Sequence, residues 1–539
     1  MPACREPPAL LAVAPCHNKR DFLAPPPALI GQLHAGFALR LLLLAAAALH
    51  LAGCGSLRTY RQEMDATLGR VVAGDVAGAI KVLEKNNKGN DRDLLFHLEL
   101  GELHRLNGAY PRSLEAFRAA DAVIQAWEQT AKLDPSKLSG SVASFLVNDK
   151  VRVYEGIDYE KVMVTTRMAM DYLAMGDWDN ARVHIKRSHE REALIAEVRA
   201  RQYVDVQEEA LRKGARQSFK EIGGYPVQTL EVPEALALKN GYQNALSHYL
   251  AGFVYEALGE GSLAAPGYRT AIELRPGEAL LEDSLGGLDK RLALGDDGKC
   301  DALFVVETGL APVRASRDFN LPIPLGPNGN VIFVSASFPV LSDRAAYSTP
   351  TVTVDRSLGL GSAHVLDVDA MARRALADEM PSIMLRTFSR SAARALAQYE
   401  MQRQMEEARR RNRGEDNLGM ALGLLALQIG GIVLESADER AWRSLPGHVA
   451  VARGRLSRGV HAVQVDTASG AVSFDVNLSA SHAVVAVRVA GGRPYVTPGE
   501  PLPPAGSKSA TNDPAPGAAV FVSILQSDRS TPVVPRRTQ

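Results

Sequence analysis

Cysteine is scarce in this sequence, with only Cys4, Cys16, Cys54 and Cys300 among 539 residues. That supply excludes the dense disulfide framework of small secreted domains. A surplus of one charge is missing as well, because 61 Lys and Arg face 61 Asp and Glu. Without a basic excess, or a basic stripe interleaved with aromatics, nucleic acid is not an expected partner. The chain has no run of about 20 uninterrupted apolar residues, the length of a permanent helical membrane span. Catalytic signatures are lacking too: there is no Walker loop, Gly-x-Ser-x-Gly elbow, His-Glu-x-x-His or Cys-x-x-Cys. His184 and His189 stand five apart rather than at the four-residue spacing of two ligands on one helix face. Asp296-Asp297-Gly298 with Asp301 lacks the alternating ligands of a calcium loop and reads as a domain junction. No cofactor and no metal are therefore expected.

What is present begins with a leader. Arg40 precedes Leu41–Leu51, eleven residues of Leu and Ala broken by His50. Such a run suits the apolar core of a secretion signal, usually about 7–15 residues behind a positive flank. Leu51-Ala52-Gly53-Cys54 follows and resembles the lipobox cut by the lipoprotein signal peptidase. Residues 1–53 are thus expected to be removed, with Cys54 acylated and the true start downstream of Met1. Acyl chains contribute about 0.8 kcal/mol per buried methylene, so several hold a protein firmly to a bilayer. Gly55 and Ser56, with no Asp after the cysteine, point to the outer membrane, lipid-anchored and facing the periplasm. Cys300 is then the last free thiol and is expected to pack as a small hydrophobe.

Residues 54–296 read as helical repeats. Gly74, Gly108 and Gly176 are separated by 34 and 68 residues, one and two tetratricopeptide periods. Around them recur small residues on a first helix (Gly101, Ala169, Gly252) and large ones on a second (Phe117, Ile185, Tyr268). Four copies follow, near 60–88, 94–120, 162–188 and 245–276, with 131–153 and 215–233 left over as insertions. Stacked helix pairs form a solenoid with a concave face. On that face the first helices are expected to present Leu98, Glu102 and Arg105, then Met163, Thr166 and Met170, then Tyr249, Phe253 and Glu256. Asp158 is read as an N-cap for the helix starting near Tyr159, in preference to a catalytic pairing with Glu160.

Tyr154-Glu-Gly156-Ile-Asp158-Tyr159-Glu-Lys161, running into Ala169–Ser188 with Trp178, resembles a poorly characterised family of TPR-containing lipoproteins of Gram-negative bacteria. The similarity extends to Gly309-Leu-Ala-Pro312 and to Asp438–Pro446, which includes Trp442 and Pro446. The resemblance implies a repeat protein of the envelope, associated loosely with support of peptidoglycan synthases and envelope assembly.

From Cys300 the pattern turns to strands. Residues 300–365 are β-rich, with Leu303–Val306 and Val331–Val334 as short runs. Val472, Phe474, Val476 and Leu478 alternate with polar residues after Val463 and Val465 and the Thr467–Gly470 turn, and Val485–Val489 follows. The 441–490 strands are expected to complete one small antiparallel sheet. Between the strand sets, 366–440 is helical: one helix capped by Asp367 or Asp369 and ending before Pro381, a second from Ser382, and a buried apolar helix at 418–434. The tail 491–539, rich in Pro, Gly, Ser and Thr, is expected to be disordered.

The fold class is accordingly α+β, a TPR-like α-solenoid followed by a small antiparallel β domain with a helical insertion. The expected function is a non-catalytic, lipid-anchored scaffold for envelope protein partners. The alternatives are an envelope hydrolase or transferase acting on peptidoglycan or glycolipid, and a subunit of an oligomeric membrane or secretion assembly.

Overall fold

The computed structural model describes residues 60–89, 92–133, 153–212, 220, 222–325, 330–411, 436–490, 496–497 and 519–527. Cys54 with its leader, the apolar stretch 418–434 and most of the tail fall outside them. So do most of the expected insertion 131–153 and the first residues of the one at 215–233.

Four helical hairpins open the described chain: α1 (Tyr60–Val72) with α2 (Val76–Asn86), α3 (Leu94–Leu106) with α4 (Tyr110–Leu133), α5 (Asp158–Ala174) with α6 (Trp178–Arg212), and α7 (Ala245–Ala257) with α8 (Gly261–Leu274). Each turn holds a glycine at positive φ: Gly74, Gly108, Gly176 and Gly259. A side chain there would strain the backbone, which explains the regular spacing of these glycines. Within hairpins the small residues act as expected. A Cβ on Gly101 would lie 2.4 Å from Phe117, and one on Gly252 2.5 Å from Tyr268. Successive hairpins stack α2 on α3, α4 on α5 and α6 on α7, so the chain carries a TPR-like array. Two short helices, α9 (Ala279–Gly286) and α10 (Leu288–Ala293), close it.

The β region is larger and differently wired than one antiparallel sheet. Its strands are β1 (Lys299–Thr308), β2 (Arg314–Leu325), β3 (Asn330–Leu341), β4 (Thr351–Val354), β5 (Leu358–Leu360), β6 (Ser362–Asp367), β7 (His448–Ser457), β8 (Gly459–Thr467), β9 (Gly470–Leu478), β10 (His482–Ala490), β11 (Val496–Thr497) and β12 (Ala519–Ser527). A six-stranded sheet runs β11-β12-β10-β1-β7-β6, and a four-stranded one runs β5-β4-β8-β9. At the centre β1 and β10 are parallel, Asp301 opposite His482 through Thr308 opposite Val489. Alternate residues of β1 divide the layers. Ala302, Phe304 and Val306 pack against the four-stranded sheet, while Leu303 and Val305 join the core under the helices. Burial on both faces explains the near-continuous apolar runs of β1 and β10. Cys300 is fully buried in the core between the sheets, as expected for a packing cysteine.

Three further expectations change. The strand near 331 does not join that sheet but forms a two-stranded ribbon, β2 with β3. Strand β2 tolerates Pro322 and Pro324 because, among the described residues, no third strand needs their missing N–H groups. Pro381 does not divide two helices: one helix, α11, runs Val368–Arg411. Asp367 caps it as anticipated, accepting the Ala370 N–H at 2.8 Å. Residues 519–527 of the expected disordered tail form β12, paired antiparallel with β10, since AVFVSILQS carries enough apolar residues to extend a sheet edge. No helix among the described residues is long and apolar enough to cross a membrane.

Candidate functional site

The inner face of the array is the natural place for a ligand, and the nine residues expected to line it do converge there. They are not open to solvent. Leu98, Glu102, Met163, Met170, Tyr249, Phe253 and Glu256 are fully buried, and Thr166 and Arg105 nearly so. The expected groove is filled by the chain's own C-terminal half, which lays the β1–β7–β10 face and the segment before β7 across it. Three sets of contacts bind it there.

The first set grips an irregular segment, Ala441–Ser444, which enters a turn at Arg443, by its main chain. Glu160 on α5 accepts the Trp442 N–H at 2.7 Å, while Glu99 on α3 accepts those of Arg443 at 2.7 Å and Ser444 at 3.1 Å. The Tyr60 hydroxyl stands 2.7 Å from Glu99 Oε1 and 2.6 Å from the Ala441 carbonyl, its one proton serving either. The Trp442 ring, fully buried, sits 5.6 Å from Phe117. Glu160 also accepts the Tyr154 hydroxyl at 2.6 Å and the Ile157 N–H at 2.9 Å. Burial pushes its carboxyl up to about 7 despite these donors, and burial likewise raises Glu99.

The second set is a buried network of balanced charge. Arg105 pairs with Asp171 at 2.6 Å, and Ser113 donates to the same carboxylate at 2.6 Å. Arg167 lies between Glu102, at 3.4 Å, and Glu307 of β1. Arg488 of β10 reaches Glu307 at 3.7 Å and donates to the Ser444 carbonyl at 2.9 Å. Burial pushes Asp171 up to about 6 and Arg488 down to about 10.

The third set centres on Arg453 of β7. It bridges Glu256 at 2.8 Å and Asp301 at 2.6 Å, donates to the Tyr268 hydroxyl at 2.9 Å and lies 5.0 Å over the Phe253 ring. His482 meets the same ring edge-on at 5.9 Å.

Apart from Trp178, the residues that carried the family resemblance cluster around the first set. Gly156 turns at positive φ, Tyr154 holds Glu160, and Tyr159 is buried beside Ala441. Trp178, at the start of α6, packs 6.5 Å from Phe253. Gly309–Pro312 runs alongside the end of the gripped segment, where the Ala311 N–H donates to the Leu445 carbonyl at 2.8 Å and Pro446 is buried. Asp158 is not the N-cap. Ile157 is, because Glu160 reaches back to its N–H, and this frees Asp158 to pair with Arg199 at 2.5 Å and Lys161 at 3.1 Å. Against burial, those two cations hold Asp158 well below the usual carboxylate range.

Chemically, the first set recognises main-chain N–H groups at a turn, and here the turn belongs to the same chain. Among the described residues two triples bring ligand-type side chains together: Glu256, Asp301 and His482, and His364, Asp367 and His448. The first is spent on Arg453 and Arg291. Sequence spacing could not reveal either, since β7 and β10 lie far along the chain from β1 and β6. Asp296 and Asp297, just before β1, pair with Arg458 and Arg455 at 2.8 Å each.

No family model and no curated protein matches the chain. Among solved structures it is similar to MamA, at 15% identity over 42% of this chain and 86% of that one, with a TM-score of 0.22. A tetratricopeptide repeat protein from Parabacteroides merdae matches at 14% identity over 43% of this chain and 98% of that one, with a TM-score of 0.12. The Rap conjugation gene regulator of plasmid pLS20, in complex with the Phr* peptide, matches at 12% identity over 43% and 62%, with a TM-score of 0.18.

Proposed function

We propose that this protein is a non-catalytic scaffold of the cell envelope, tethered by acyl chains on Cys54 to the outer membrane and facing the periplasm. There it binds protein partners during peptidoglycan or outer-membrane assembly. The observation that carries the reading is the closure of the repeat array on its own β domain, which makes one body whose binding surfaces must lie outside the filled groove. Large apolar side chains stand in solvent at two such places, Phe333 on β3 (72% exposed) and Leu396 with Tyr399 on the distal half of α11 (58% and 46%). Exposed apolar groups on a long helix and a ribbon suit a docking surface.

Photo-crosslinking residues placed at 333, 396 and 399 in intact cells test this. A discrete protein adduct, lost in the Leu396→Asp/Tyr399→Asp variant, is expected. Absence of any protein adduct from all three positions overturns the scaffold reading. Mass spectrometry that finds an unmodified thiol at Cys54, with residues 1–53 attached, overturns the tether.

A further inference from the structure

The pairing of β6 with β7 slips between His364 and Leu366. In a regular strand His364 and Asp367, three apart, point to opposite faces. The bulge cancels that odd step and turns both towards His448, which lies directly opposite Asp367 on β7. One ring nitrogen of each histidine and a carboxylate oxygen of Asp367 then lie within 4.8 Å of one another. His448 Nδ1 stands 3.6 Å from Asp367 Oδ1. That nitrogen is buried, on a side chain only 9% exposed, and has no hydrogen-bond partner.

We propose that His364, His448 and Asp367 form a site for a divalent transition metal of the zinc class, with a further coordination position left for water or a ligand. A spacing of about 3.4 Å between ligand atoms is what tetrahedral coordination at 2.0–2.1 Å requires, and the His448–Asp367 pair already stands close to it. The supporting shell is in place. His364 Nε2 donates to the Leu366 carbonyl at 2.9 Å, which leaves the lone pair on Nδ1. Asp367 Oδ1 is fixed by the Ala370 N–H at 2.8 Å and Oδ2 by Arg344 at 2.6 Å. Such outer bonds orient ligands and set the imidazole tautomer. The Tyr347 ring walls the site, 4.0 Å from His448 and 4.3 Å from His364. Asp367 also lines a small cleft together with Arg275 and Met371.

The surroundings choose the ion. Arg344 touches Asp367, Arg275 shares the cleft, and the positive end of α11 begins at the next residue. These charges weigh on any divalent cation, and the single carboxylate is too few for Mg²⁺ and Ca²⁺, which are held chiefly by oxygen ligands. Two imidazole donors favour zinc and its neighbours instead.

The test uses the full chain, purified in detergent, stripped with chelator and titrated calorimetrically with Zn²⁺ alone. One Zn²⁺ per chain is expected, and Co²⁺ should give the visible absorption of a nitrogen- and oxygen-liganded ion. Removing an outer partner of a metal site commonly costs about 10–100-fold in affinity, so His448→Ala and His364→Ala should each cost more. His482→Ala, from the other triple, should bind as the parent does. Circular dichroism checks folding, and His364, only half-buried, decides the matter if His448→Ala does not fold. Failure to bind stoichiometric Zn²⁺ overturns the site, as does a folded His364→Ala variant with parental affinity.

Discussion

Glu160 holds three donors while buried among apolar neighbours, so its charge is costly and its position fixed at once. Its carboxyl, raised to about 7, binds a proton more tightly in the folded protein than in the unfolded chain. Asp171, raised to about 6, does the same. In the interval above the ordinary carboxylate values the folded state therefore carries extra protons, and raising the pH removes them at a cost in stability. At about 1.4 kcal/mol per pH unit the loss from Glu160 alone is roughly 3 kcal/mol between pH 4.5 and 7. Asp158 acts in the opposite sense, being held low, and its contribution is lost only as pH falls below about 4. Urea midpoints should accordingly peak on the acid side, near pH 5, and fall towards pH 7. Glu160→Gln, which cannot titrate, should flatten that fall, and a variant with the parental slope refutes the assignment. The sequence shows Glu160 only as a helix-start acid. Its partner Trp442 stands 282 residues away, so nothing local could announce the contact.

At the scale of elements, the legible parts were those whose cause is local. The turn glycines, the Gly101–Phe117 and Gly252–Tyr268 contacts and the β8–β9 hairpin all follow from a few consecutive residues. The parallel pairing of β1 with β10 joins segments separated by most of the C-terminal half, and no period in either strand specifies its neighbour. Strand β12 was missed for a different reason, because its apolar stretch follows a long Pro- and Gly-rich passage that dominates the composition. Its position has a consequence. β10 is buried along its whole length, so removal of β12 would expose the edge of a hydrophobic strand. Truncation after residue 490 should lower the melting temperature and promote self-association, visible by light scattering as concentration-dependent oligomers. Truncated protein that stays monomeric, with unchanged melting, contradicts the pairing.

For the whole molecule, the decisive ambiguity lay in what an inner helix face means. Leu98, Met163, Tyr249 and Phe253 recur at helical spacing, and such a stripe is equally suited to a bound partner or to another part of the same chain. Glu102, Arg105 and Glu256 stood within the same stripe as expected contacts of a protein partner. Their partners turned out to be Arg167, Asp171 and Arg453, two on the single helix α5 and one on the sheet. Breaking such buried pairs by removing one side typically costs 3–5 kcal/mol, because an uncompensated charge remains. Separation of the array from the β region would break the Arg167–Glu307 and Glu256–Arg453 pairs, leaving each group with fewer partners, and would uncover the apolar stripe. Residues 57–296 expressed alone should therefore aggregate or bind a hydrophobic dye without a cooperative melt. Co-expression with residues 297–539 should restore a soluble complex that unfolds in one transition. A soluble, cooperatively folded array obtained alone would mean that the groove can stand open, and that the internal segment Ala441–Ser444 is a replaceable occupant rather than part of the core.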